Sequence, residues 1–109
     1  MIDQQILDIK PVEVVKGYSA RFLHTERMTF AFWEVEAGNE LPMHHHEHEQ
    51  VSQILEGELE MTIGGITKVH SPGSVLVIPA NTPHSGRSIT ACKILDVFCP
   101  VREDYKALQ

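Results

Sequence analysis

The chain has 109 residues, 42% of them hydrophobic, and a formal net charge of −6. That is the size of one domain with its own core, too apolar for a disordered chain, and of the wrong sign to hold nucleic-acid phosphates. No apolar run approaches the roughly 20 residues of a membrane helix, and Met1-Ile2-Asp3-Gln4-Gln5 lacks the features of a secretion signal, so a cytoplasmic protein is expected.

Taken in chain order, the sequence reads as short β-rich runs separated by Gly, Pro and Asn. Met28 to Glu36 predicts a strand that stops at Ala37-Gly38-Asn39. Gln50 to Leu55 and Glu58 to Ile63 predict strands flanking Glu56-Gly57. Gly64-Gly65 then marks a tight hairpin, because glycine tolerates the positive φ such turns need. Ser71-Pro72-Gly73 is a turn, Val75 to Ile78 has the unbroken apolar character of a buried strand, and Pro79 to Pro83 breaks it. Ile89 to Val97 closes the set, and only Arg102 to Gln109 reads as helical. Many short strands with no long helical period predict an all-β chain, an antiparallel sandwich or barrel. Cys92 and Cys99 have no metal-type spacing and are expected to be buried free thiols.

The densest chemistry lies between His44 and Gln50, where four histidines and a glutamine fall within seven residues. Alternate residues of a strand share a face. His44, His46 and Gln50 therefore meet one ion if the even positions face the interior, with Ser52 and Ile54 continuing that face and Val51, Gln53 and Leu55 turned outward. His84, just after a proline turn, would join them from another strand. Imidazole nitrogens and an amide oxygen suit one divalent ion, Ni, Fe, Mn or Zn, and such a donor set leaves positions open for a substrate. A histidine run can also be a solvated loop or a tag remnant, but this run is internal. His48 is left open as ligand, substrate contact or hydrogen-bonding group, and His24 and His70 are expected at the surface.

These residues resemble the cupin superfamily. Gly38, His44, His46, Gln50 and Gly57 match the first cupin motif (residues 38–57), with Gln where Glu is commonest; Gly73, Pro79 and His84 match the second (residues 73–88). Asn81 stands where Gly is usual and Ser88 where Asn is usual. The resemblance implies a single cupin domain over 1–109: a double-stranded β-helix, or jelly-roll barrel, with at most a short C-terminal helix. It says little about reaction, because one fold hosts many chemistries. Three neutral imidazoles and a neutral amide leave the ion's charge uncancelled, which favours anionic ligands and strong Lewis acidity.

Asp96 interrupts an otherwise apolar strand and shares a face with Phe98, opposite Leu95 and Val97. A carboxylate aimed inward is costly to bury alone; beside a cation it is a candidate acid–base group, and Arg102 is a candidate grip for a substrate carboxylate. The competing reading has Asp96 cap a turn or pair structurally with Arg21, Arg87 or Arg102, and makes Arg102 a surface charge. Among small single-domain cupins the chain looks like the pectin-degradation, KdgF-like proteins, through His44, His46, Gln50, His84, Asp96, Phe98 and Arg102. By that resemblance it would promote conversion of 4,5-unsaturated monouronates from pectin or alginate into linear 4-deoxy-5-keto sugars. Asp96 would shuttle a proton, Phe98 shape the pocket and Arg102 hold the small sugar acid's carboxylate. Alternatives are another metal-dependent cupin enzyme (an oxygenase or sugar isomerase), a non-catalytic small-acid or sugar-binding cupin, and a storage or structural role. Val14, Val15, Phe30, Phe32 and Trp33 offer more apolar surface than one small barrel needs and predict a homodimer, unless Trp33 simply fills the core.

Overall fold

The computed structural model describes residues 1–109. A single 3₁₀ turn (Ile6–Asp8) precedes ten strands: β1 (Val12–Val15), β2 (Tyr18–His24), β3 (Thr29–Val35), β4 (Glu40–His44), β5 (Glu49–Glu56), β6 (Leu59–Ile63), β7 (Ile66–His70), β8 (Val75–Ile78), β9 (His84–Ser88) and β10 (Cys92–Cys99). One short helix, α1 (Glu103–Lys106), follows. The strands form two antiparallel sheets, one in the order β1-β2-β3-β10-β5-β8 and the other β4-β9-β6-β7, the expected jelly roll. No helix is long and apolar enough to cross a membrane.

Period-two alternation decides which side chains enter the core. In β3, Thr29, Ala31, Trp33 and Val35 are buried while Phe30, Phe32 and Glu34 turn outward; in β10, Cys92, Ile94, Asp96 and Phe98 are buried and Leu95 and Val97 turn outward. Trp33 thus belongs to the interior, edge-on to Tyr18 and Phe22, rather than to an outer surface. Ile54, Ile78 and Phe98 complete the same cluster. At Gly64-Gly65 both residues have positive φ and Ile63 pairs with Ile66, so the predicted hairpin forms as β6–β7.

Four expectations need correction. Val75 to Ile78 is not a buried strand. Alternation turns Ile78 inward and Val75 and Val77 outward, and because β8 lies at a sheet edge these two are 58% and 61% exposed. Cys99 is exposed at the end of β10, and only Cys92 is buried; both are free thiols. His70 is not a surface residue but is buried, with Nδ1 at 3.2 Å from Ser74 Oγ. His24 is half-buried, stacked on Phe22, with Nδ1 at 2.8 Å from Thr29 Oγ1.

Candidate metal centre

His44 to Gln50 is not one continuous strand. β4 ends at His44, the chain bends through His45 to His48, and β5 begins at Glu49. His44, His46 and Gln50 still converge, because the bend and the sheet pairing do what a single strand would have done. The β4–β9 register sets His44 directly opposite His84. Asn81, at φ 60, lets the proline turn donate its amide to the His46 carbonyl at 2.8 Å, which ties the turn to the bend. Candidate ligand atoms of His44, His46 and His84 all lie within 4.8 Å of one another, a group able to hold a metal ion.

The protonation pattern of the rings fits that use. Each Nδ1 faces a backbone carbonyl: Pro42 for His44 at 2.8 Å, His48 for His46 at 2.9 Å and Thr82 for His84 at 2.8 Å. A carbonyl only accepts, so each Nδ1 donates its proton there, and Nε2 is the nitrogen that each ring has left to offer an ion. Nε2 of His84, a residue 1% exposed, has no hydrogen-bond partner. Nε2 of His46 faces Oε1 of Gln50 at 3.1 Å. Burial first, and then the Arg102 charge, lower the His46 pKa to about 4, so this ring is neutral at pH 7 and two acceptors confront each other. A cation among these atoms would relieve both the orphaned nitrogen and the opposed lone pairs, so the residues fit a divalent ion. His48 stays outside the group; its carbonyl orients His46, and its own Nδ1 is buried without a partner.

The histidines form one wall of a cavity of about 260 Å³ that also contains Gln50, Ser52, Asp96, Phe98 and Arg102. Much of the remaining lining is apolar, including Val14, Leu41, Leu59, Met61 and Ile94. Asp96 is buried and accepts a 2.5 Å hydrogen bond from Ser52 Oγ. Burial raises its pKa to about 6, against opposing pulls from Ser52, Gln50, Trp33 and Arg102. The Trp33 indole N–H is close enough to contribute to that pull yet makes no full hydrogen bond. None of the arginines forms a salt bridge with Asp96; the short contact is to Ser52. Phe98 packs edge-on against the His46 ring.

Arg102 is held in a way its sequence position did not foretell. Its Nε and Nη2 donate to the two carboxylate oxygens of Asp104 at 2.9 and 2.7 Å. Its guanidinium lies 3.9 Å from the Tyr105 ring centroid and 4.7 Å from that of Phe98. Sequence reasoning assigned no role to Asp104, Tyr105 or Ser52. The parity of β5 did place Ser52 on the inward face, but only the strand register brings it opposite Asp96.

A family description, "Cupin domain", matches residues 31–98, well over half of the chain. Among curated proteins none matches the sequence. Among solved structures, an RmlC-like cupin from Shewanella frigidimarina superposes with a TM-score of 0.91 at 24% identity, covering 96% of each chain. KdgF from Halomonas sp. gives 0.90 at 23% identity, covering 96% of this chain and 98% of that one. The polyketide cyclase RemF from Streptomyces resistomycificus gives 0.80 at 26% identity, covering 91% of this chain and 79% of that one.

Proposed function

The chain belongs to the cupin domain family, and on that premise we propose that it is a metal-dependent enzyme opening 4,5-unsaturated monouronates to linear 4-deoxy-5-keto uronates. The observation that carries this reading is the meeting, in one small cavity, of three imidazoles and an amide with a buried carboxylate and an arginine. His44, His46, His84 and Gln50 would hold one Ni, Fe, Mn or Zn ion, which when bound supplies a Lewis acid for substrate oxygens. The conversion moves protons without adding any: one leaves the anomeric hydroxyl as the ring opens, and one reaches C4 as the enol becomes a ketone. Asp96, with its pKa raised to about 6, is suited to take up the first and supply the second. Arg102 would anchor the substrate carboxylate through the part of its fork that Asp104 does not use, or by displacing Asp104. Phe98 shapes the wall beside His46. The Halomonas KdgF similarity supports the fold of such an enzyme.

The test follows the ultraviolet absorbance of an unsaturated uronate. Wild-type protein loaded with metal should speed its decay, whereas Asp96→Asn should lower kcat at least about a hundredfold, the usual scale for a lost acid–base group. Decay equal to the buffer blank in all samples would discard the uronate reading. The apolar lining favours one second reading, a cyclic substrate with a hydrophobic body, as the likeness to a polyketide cyclase would suggest. We also propose that the protein is a homodimer, joined through the outer face of its six-stranded sheet. Leu23, Phe30, Val97, Val51 and Val77 follow one another across five paired strands on that face.

A further inference from the structure

Gln50, Ser52 and Asp96 form a hydrogen-bonded line whose polarity can be worked out by counting protons. The register of β10 on β5 sets Asp96 opposite Ser52 and Phe98 opposite Gln50. Ser52, 3% exposed, lies 2.5 Å from Asp96 Oδ1 and 2.9 Å from Gln50 Nε2. An ionised carboxylate only accepts, so the single hydroxyl proton of Ser52 goes to Asp96. The lone pairs of Ser52 Oγ must then receive a donor from residue 50. An amide provides one and a carboxylate does not. The amide nitrogen is thereby fixed toward Ser52, and Oε1 is turned to the histidines, where it lies 3.1 Å from His46 Nε2.

We propose that Ser52 is a positioning residue that orients Gln50 toward the metal centre and makes an amide, rather than a carboxylate, the side chain position 50 requires. Every hydrogen bond in the line points toward Asp96, so the anion polarises the amide and makes Oε1 a stronger electron donor. The charge of Asp96 thus acts on the centre through a neutral ligand, across the Ser52 hydroxyl and the Gln50 amide. The glutamine in place of the commoner glutamate follows from the partner two positions along the same strand.

The inference rests on the proposed metal centre, not on the identity of the substrate. Its probe is Co(II) alone, titrated into metal-free protein with affinity and visible absorption recorded. Ser52→Ala should weaken Co(II) binding about tenfold and alter the visible spectrum, while Ser52→Thr, which keeps a hydroxyl, should restore both toward wild type. A second pair of variants keeps Ser52 and reverses the line. Gln50→Glu leaves two acceptors competing for one hydroxyl proton and should lower the melting temperature of the metal-free protein. Adding Asp96→Asn supplies a donor at the far end, so the double variant should recover that loss. Wild-type affinity and spectrum in a folded Ser52→Ala, or a double variant no more stable than the two single changes add up to, would overturn the proposal. If Ser52→Ala does not fold, the reversed pair decides alone. Absence of uronate turnover in wild type would remove the substrate reading and leave these cobalt results unaffected.

Discussion

At the scale of single residues, burial has tuned several titrating groups away from their usual behaviour. Desolvation lowers the pKa values of His24, His46, His70 and His84, so the folded protein resists protons that the unfolded chain accepts near pH 6.5. Their contribution to stability is present above that pH and is lost as pH falls toward the lowered values, about 4 for His46. Asp96 works in the opposite sense. With its pKa raised from 3.8 to about 6, the folded state holds the extra proton between those values, so acidification through that window favours folding. Four histidines oppose one aspartate, and the melting temperature of metal-free protein should drop between pH 7 and pH 5. Asp96→Asn should steepen the drop, since the compensating group is gone. A flat profile by circular dichroism would contradict the burial argument. The histidine set was legible in the sequence because the motif spacing is short and the residues chemically conspicuous. The partner of Asp96 was not: Asp96 and Ser52 meet only through a strand register fixed by the whole sheet. Nor was the engagement of Arg102 with Asp104, a fork between near neighbours that depends on how the chain turns into α1.

Individual elements show the same division. The Gly64-Gly65 hairpin and the inward faces of β5 and β10 follow from local chemistry and alternation, and they formed as expected. The exposure of Val75 and Val77 depends on β8 lying at an edge, which no local pattern encodes. Likewise His44 and His46 are brought together by a bend between β4 and β5, not along one strand, and the same parity takes in His48, which stays outside the group. Between β5 and β6 the chain crosses from one sheet to the other at Gly57, whose φ is 86. A Cβ there would collide with the Ala91 carbonyl oxygen, backbone that cannot easily move. Gly57→Ala should therefore cost about 2–4 kcal/mol, combining left-handed strain with the clash. Urea unfolding should show a lowered midpoint with an unchanged slope, and a loss under about 0.5 kcal/mol would mean the crossing relaxes freely.

For the molecule as a whole, the outer face of the six-stranded sheet raises the question of what it meets. Next to the row from Leu23 to Val77 runs a second, in which Phe32 and Leu95 lie between Arg21 and Gln53 and end at Val75. Apolar residues aligned across five strands on an outward face are more than a monomer usually presents to water. Light scattering at micromolar concentration should give twice the 12.3 kDa chain mass. Phe30→Lys should shift it to the monomer value while leaving the histidine centre intact. A wild-type monomer would remove the dimer from consideration.

The placement of the four donors has a mechanical result. His44 and His84 belong to one sheet and Gln50 to the other, with His46 on the bend between them. An ion gripped by all four would act as a rivet through the mouth of the jelly roll. Loading should thus slow amide exchange in β4, β5 and β9 together, because the ion would join the paired β4 and β9 to β5 of the other sheet.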